Sequence, residues 1–444
     1  MIGLGLGSNI GFPLKNLRTA IHLLQRLPNL KILKISSVYI SDAELPENAP
    51  PEWNKSYLNL AILCHSDRSP RELSHQLQQI EEQIGRRRDQ RWEPRLIDID
   101  ILTWGTLQYQ DEKLTIPHRS LLTRPFALLP LLEIFPEFKT SSLEHIPWLK
   151  PQAVIPFNTR TINACLSGPA LMGIVNVTPD SFSDGNLFPT LESQKEQIKT
   201  LILGGAEVID IGAESTRPNA TPVSPKEEWK RLEPLLTLVK NLPTELGIDP
   251  ALIPEISLDT YHPETVEKAI QHSSLQWVND VSGEYFKDIA VLLKNTEIRY
   301  VTMHHLGVPP SAQKTIPLDQ DPVSWITQWA TSRIQLLQKH GLKTDQLIVD
   351  PGIGFGLTPS QNWEVLKRVG ELKEHLQSIN IPILVGHSRK SFLKSTLTED
   401  TIFARDLSSS LIAFCLAEKK IDYLRIHAVS MANQTLKIFN KLNS

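Results

Sequence analysis

Hydrophobic and polar positions follow two different plans along this chain. From Leu171 onward, short apolar runs end in polar residues and alternate with longer stretches of helical spacing. The runs are Leu171–Asn176, Val208–Gly212, Glu255–Asp259, Trp277–Asp280, Tyr300–His304, Leu347–Asp350, Pro382–Gly386 and Tyr423–His427, and each reads as a buried strand. Between them, Glu192–Gly204, Lys226–Leu242, Pro263–His272, Trp325–His340 and Arg405–Lys420 read as helices. Alternation of this kind and length predicts an α/β fold, a closed parallel (β/α)8 barrel.

The preceding part is organised otherwise. Ile2–Leu6 predicts a strand, Gly7-Ser8-Asn9 a turn and Pro13–Leu27 a helix. Lys31–Tyr39 and Tyr57–Cys64 predict two more strands, separated by a loop holding Pro46, Pro50 and Pro51. Pro70–Ile84 sets Leu73, Leu77, Ile80 and Ile84 on one helical face, and Arg95–Ile101 alternates like a strand. Periodicity fades from Ser141 to Gly168, where Pro147, Pro151 and Pro156 punctuate the chain. The boundary is expected near Phe157–Gly168, giving domains over 1–157 and 169–444.

Composition adds exclusions. A length of 444 residues agrees with two or three domains, and 41% hydrophobic with 21% charged residues is ordinary for a soluble globular protein. The formal net charge of -3 gives no electrostatic reason to expect a nucleic-acid partner. Cys64, Cys165 and Cys415 form neither a disulfide framework nor a zinc spacing, which points to the reducing cytoplasm. Met1–Gly7 lacks a basic flank and is too short for a signal peptide, and Phe126–Phe135 is interrupted by Pro130 and Glu133, so no membrane segment is expected.

In the first domain the chemistry gathers around Arg95–Ile101. On a strand, Asp98 and Asp100 project to one face while Ile97, Ile99 and Ile101 take the other. Two adjacent carboxylates repel unless one takes a proton or a cation lies between them. Oxygen ligands of this kind suit Mg2+ with phosphates completing its shell, and Arg86, Arg87, Arg88 and Arg91 nearby supply positive charge. No P-loop pattern is present, and Gly3, Gly5 and Gly7 read as strand and turn because the third glycine of a dinucleotide fingerprint would fall on Ser8.

The stretches Gly7-Ser8-Asn9, Tyr57-Leu58-Asn59, Arg91-Trp92-Glu93-Pro94-Arg95, Asp98-Ile99-Asp100 and Pro117-His118 resemble 6-hydroxymethyl-7,8-dihydropterin pyrophosphokinase. That resemblance implies a ferredoxin-like α+β domain in which Asp98 and Asp100 hold magnesium and Asp100 can accept the substrate's proton. It also implies that Glu81, Arg86, Arg95, His118 and Arg124 surround ATP, that Tyr57 and Phe126 sandwich a pterin, and that Asn59 bonds the ring's polar edge. Ser41-Asp42-Ala43-Glu44-Leu45 replaces the Thr-Pro-Pro-Leu-Gly-like stretch of the family.

In the second domain, polar residues collect at the carboxyl ends of the strands: Asn176, Asp259, Asn279, Asp350, Lys390 just beyond, then Arg425 and His427. That end of a barrel carries the active site. Asp259, Asp350 and Asn279 suit a planar, amidine-like ring edge, and Arg425 and His427 with Asn176 suit a diphosphate with magnesium. The motifs Asn176–Gly185, Glu214-Ser215-Thr216-Arg217-Pro218, Asp259, Asn279-Asp280, Asp350-Pro351-Gly352, Ser388-Arg389-Lys390 and Arg425-Ile426-His427 resemble dihydropteroate synthase. The resemblance implies pterin contacts from Asp259, Asn279, Met303, Asp350, Phe355 and Lys390, and para-aminobenzoate contacts from Thr216, Arg217 and Ser391. Asn176, Arg425 and His427 would serve the diphosphate, a loop with Pro179 and Phe182 would close over the site, and a homodimer through the barrel helices is implied as well.

Together the resemblances imply a bifunctional enzyme of folate biosynthesis that uses ATP as co-substrate. The competing readings are a pterin-binding barrel of the methyl-transferring kind and a protein in which one domain only binds pterin.

Overall fold

The computed structural model describes residues 1–86, 92–138, 143–150, 152–178, 190–214, 222–311 and 313–443. They form two compact units, Met1–Ser167 with Asp249–Ile253, and Gly168–Ile248 with Pro254–Leu442. Among the described residues, no helix is long and apolar enough to cross a membrane.

The first unit contains β1 (Ile2–Ser8), α1 (Pro13–Gln25), β2 (Leu30–Ile35), β3 (Tyr39–Ser41), β4 (Tyr57–Ser66), α2 (Pro70–Ile84) and β5 (Asp98–Trp104). The hairpin β6 (Tyr109–Gln110) and β7 (Thr115–Ile116), helix α3 (Pro125–Ile134) and strand β8 (Arg160–Thr161) follow. The antiparallel sheet runs β5-β1-β4-β3-β8, with β2 also on β4, which is the βαββαβ order of a ferredoxin-like fold. Strand periodicity divides its core. Ile2, Leu4, Leu6, Leu58, Leu60, Ile62, Ile99 and Ile101 pack under α1 and α2, whereas Ala61, Leu63 and Leu102 pack under α3.

The expected strand Lys31–Tyr39 is broken into β2 and β3. At the break, Ser36 Oγ accepts a hydrogen bond from the Ala61 amide at 2.9 Å, and the Ser37 amide and hydroxyl both donate to Glu133. Side chains replace the ladder there, so the strand bends without stranding its polar groups.

The second unit is the barrel. Its strands are β9 (Ala170–Asn176), β10 (Val208–Gly212), β11 (Glu255–Asp259), β12 (Trp277–Asp280), β13 (Arg299–Met303), β14 (Leu347–Asp350), β15 (Leu384–Val385) and β16 (Tyr423–Ile426). Around them lie α4 (Leu191–Leu203), α5 (Pro225–Val239), α6 (Leu242–Leu246), α7 (Pro263–His272), α8 (Phe286–Leu293), α9 (Pro322–Lys339), α10 (Pro359–Ser378), α11 (Ile402–Glu418) and α12 (Val429–Asn443). The parallel strands run in the order β14-β13-β12-β11-β10-β9-β16-β15, and a bridge from Val349 to Ile383 joins the two ends. Met172, Val208, Trp277, Val301, Ile348 and Leu384 fill the interior. Arg299 stacks 3.8 Å above the Trp277 ring and pairs with Glu255, so the amino-terminal end of the barrel is plugged by a satisfied polar cluster. The register then aligns Asn176, Gly212, Asp259 and Asn279 at the opposite end.

Candidate active sites

Local structure delivers each charged group of the first unit. Ser69 caps α2 in a reciprocal capping box with Glu72, and Gly85 ends the helix in the left-handed region at φ 105°. Arg86 therefore leaves the helix directly toward β5, where its guanidinium donates to Asp98 Oδ1 at 2.6 Å. Arg95 donates to the other oxygen of Asp98 at 2.7 Å. Asn9 holds the Arg95 segment in place: its side chain accepts from the Arg95 amide at 2.7 Å, and its own amide donates to the Arg95 carbonyl at 3.1 Å.

These groups line a cavity of about 280 Å³ together with Tyr57, Asn59, Asp100, His118, Arg124 and Phe126. Glu81 lies behind it instead. At 3% exposure its carboxylate accepts from the Ile99 amide at 2.7 Å and pairs with Arg86, so it orients the arginine and β5 rather than facing the cavity. Burial, with Asp98 and Glu81 adding repulsion, pushes the Asp100 carboxyl up to about 7. A hard cation would reverse that shift, so the paired carboxylates fit magnesium by their chemistry. His118 Nδ1 accepts from the Ser120 amide at 3.3 Å, which places the neutral ring's proton on Nε2.

The β1 glycines acquire a meaning that their spacing does not convey. A Cβ on Gly5 would lie 3.0 Å from Leu102, and one on Gly7 would lie 3.1 Å from Asn59 Oδ1. Bare backbone there keeps the cavity open. Asp42, Glu44, Trp92 and Arg119 also line it, none of which the sequence reading proposed, and Glu44 forms an ion pair with Arg124 at 2.8 Å.

At the carboxyl end of the barrel, Arg425 lies between two carboxylates. Its Nε donates to Asp210 Oδ2 at 2.6 Å and its Nη2 to Asp259 Oδ2 at 2.6 Å. Asn279 donates to the same Asp210 oxygen at 3.1 Å. Asp210, fully buried within β10, is thus the hub of the site, and the sequence reading missed it. Asp350 accepts from the Gly352 amide at 2.7 Å, and Lys390 Nζ lies 4.1 Å from the Phe355 ring centroid. Gly354 makes room for that lysine, since a Cβ there would lie 3.1 Å from Lys390 Cδ.

Burial, helped by Arg425, brings the Lys390 ammonium down to about 8, against the opposing pull of Asp350 and Asp259. Burial likewise raises Asp259 and Asp350, although Arg425 and Lys390 oppose it. Met303 and Phe355 pack with Val281 as the apolar wall. Ser388 Oγ lies 3.0 Å from His427 Nδ1, which orients that imidazole. Asn176 ends β9, and Ser391 starts the short turn of helix after Lys390. Thr216, Arg217, Pro179 and Phe182 lie outside the described residues, as do Arg87, Arg88 and Arg91.

Fold and site together define a pterin-binding enzyme joined to a pyrophosphokinase. Residues 3–136 match the family model of 7,8-dihydro-6-hydroxymethylpterin-pyrophosphokinase, and residues 172–427 match that of pterin binding enzymes. The chain belongs to the folate synthesis bifunctional proteins. It is 34% identical over 435 residues to the one from Chlamydia muridarum, covering 96% of this chain and 94% of that one. A dihydropteroate synthase from Anaplasma phagocytophilum, solved with bound 6-hydroxymethylpterin-monophosphate, is 30% identical. It superposes with a TM-score of 0.53 over 62% of this chain and 99% of its own. The HPPK-DHPS protein of Plasmodium falciparum, at 21% identity, shares the fold across 100% of this chain and 95% of its own with a TM-score of 0.56.

Proposed function

We propose that the two units catalyse successive steps. The first transfers the pyrophosphoryl group of ATP to the hydroxyl of 6-hydroxymethyl-7,8-dihydropterin. The second condenses the resulting pterin diphosphate with para-aminobenzoate to give 7,8-dihydropteroate. What carries the reading is the occurrence, on one chain, of the arginine-bracketed Asp98/Asp100 pair and of the Arg425 site flanked by Asp210 and Asp259. The Ser388-Arg389-Lys390 and Thr216-Arg217-Pro218 stretches and the joined pyrophosphokinase argue against a methyl-transferring barrel, and Arg425 and His427, beyond the pterin contacts, argue against a unit that only binds pterin.

In the first step Tyr57 and Phe126 sandwich the ring and Asn59 bonds its polar edge. Arg86, Arg95, His118 and Arg124 receive the phosphates, with Glu81 setting the position of Arg86. Magnesium held by Asp98 and Asp100 supplies further neutralisation of phosphate charge when bound. Asp100 accepts the hydroxyl proton as oxygen bonds to the β-phosphorus and AMP departs.

In the second step Asp259, Asn279, Asp350 and Lys390 hold the pterin, with Met303 and Phe355 as its apolar wall. Asn176, Arg425 and His427 face the diphosphate. Thr216, Arg217 and Ser391 receive para-aminobenzoate. The carbon–oxygen bond breaks with its electron pair on diphosphate, the arylamine nitrogen bonds to the methylene carbon, and the amine releases a proton. Favouring charge separation in this way is the task of preorganised cations. The three cysteines form no disulfide, which suits a cytoplasmic setting, and the exposed apolar face of α11 suits a second copy of the chain.

The direct experiment separates the two steps. Asp98→Ala with Asp100→Ala should lower the ATP-dependent step by more than about a hundredfold while leaving dihydropteroate formation from supplied pterin diphosphate intact. Lys390→Ala should do the reverse. Joint loss of both activities in folded variants would sink the assignment.

A further inference from the structure

Just beyond the carboxyl ends of β10 and β11, a second polar cluster stands beside the barrel site and adjoins it at the apolar wall. Glu214 follows β10, and its Oε1 accepts from the Tyr261 hydroxyl at 2.7 Å. Its other oxygen lies 3.3 Å from His262 Nε2, with both side chains largely buried. The Tyr261 and His262 rings lie 4.3 Å apart, and Tyr261 continues onto the apolar wall of Val281, Met303 and Phe355. The segment is fixed from behind as well, because Thr260 Oγ1 donates to Glu228 at 2.9 Å and accepts from the His262 amide at 3.1 Å.

We infer that Glu214 and His262 are positioning residues for the second reaction: their ion pair ties the end of β10 to the β11 segment that carries Asp259 and Tyr261, and its loss weakens binding of the arylamine substrate. This rests on the barrel reading given above. Two features take the pair beyond packing. In sequence, Glu214 stands directly before Ser215-Thr216-Arg217, the stretch assigned to para-aminobenzoate. Tyr261, held by the same carboxylate, forms part of the pterin wall.

The grip depends on pH because one partner is an imidazole. Burial by itself would lower the pKa of His262, but the close Glu214 carboxylate and the charge of Glu228 raise it above the ordinary value. For Glu214, burial acts upward, and the bonds from His262 and Tyr261 bring it below its usual range. Glu284 faces Tyr261, and Arg231 on α5 is engaged by the Ala213 carbonyl and Glu227. The tie is therefore present above the depressed Glu214 pKa and is released as pH rises through the raised pKa of His262.

The test uses the full-length protein supplied with pterin diphosphate, following kcat and KM for para-aminobenzoate from about pH 5.5 to 9, with thermal melts confirming folding at each pH. For the parent, KM should rise by about threefold or more toward alkaline pH while kcat changes less. His262→Lys, which keeps its charge to higher pH, should hold the low KM across the range. His262→Gln and Glu214→Gln should show the high KM throughout, without the pH step. The inference is overturned if His262→Gln retains the parental profile, or if His262→Lys behaves like His262→Gln. No dihydropteroate from the folded parent at any pH would instead bring down the barrel reading itself.

Discussion

Lys390 is a half-buried cation between unlike neighbours, and the balance decides its proton. Burial and Arg425 bring it down to about 8, so its charged form is lost as pH rises through that value rather than near the ordinary lysine range. The second reaction, measured as kcat/KM for pterin diphosphate, should accordingly fall above about pH 8, and Lys390→Arg should remove that alkaline limb. In the first unit, Glu44 forms an ion pair with Arg124 at 2.8 Å, competing for a guanidinium assigned to the phosphates. Glu44→Gln should tighten binding of a non-hydrolysable ATP analogue by about two- to fivefold in calorimetry, a modest gain because the pair is part-exposed and screened. Asp98, Asp100, Lys390 and Arg425 were legible in the sequence because each stands in a short charged motif or at a strand end. Asp210 was not. It sits mid-strand among apolar neighbours, and its partner Arg425 is 215 residues away, so no local spacing announces the pair. Asn9 was hidden differently: it reads as a turn residue, and its clasp on Arg95 exists only once β1 and β5 are paired.

At the level of elements, the end of α2 matters most. The helix must stop at Gly85 for Arg86 to meet Asp98, and the left-handed backbone there suits glycine. Gly85→Ala should destabilise the unit by about 1 kcal/mol in denaturant melts and raise the KM for ATP, since Arg86 would leave the helix at another angle. The apolar stripe and the helix limits Pro70–Ile84 were readable from the chain, whereas the Ser69–Glu72 box and the Gly85 cap emerge in the structure. The barrel strands were readable too, and their apolar runs end where the observed strands end within a residue or two. Other elements needed tertiary context. The single strand expected over Lys31–Tyr39 splits because Ser36 and Ser37 find side-chain and backbone partners outside it. Helix α10 follows the glycine loop Gly352–Gly356, whose function is clear only from the close approach of Lys390 to Gly354. Its start is held by the Thr358–Gln361 capping box, and Asn362 reaches back to accept from the Gly354 amide at 2.6 Å.

At the scale of the whole molecule, each unit buries a core of its own, which is why damage to one active site need not unfold the other. Among the described residues of the barrel, one side of α11 leaves Ile402, Phe403, Leu407 and Leu411 exposed by 61%, 66%, 44% and 58%. Such a stripe on a helix is expected to be covered by a partner. Sedimentation of the parent should show a dimer, and Phe403→Glu with Leu411→Glu should yield a monomer with unchanged helicity. Finally, the two carboxylates that grip Arg425 bear on how the catalytic cycle ends. In the proposed reaction, a guanidinium whose charge is already answered from both sides would grip the departing diphosphate more loosely than an unopposed one. Release of the inorganic product should then not limit turnover in the barrel, an expectation that a pre-steady-state burst of dihydropteroate would overturn.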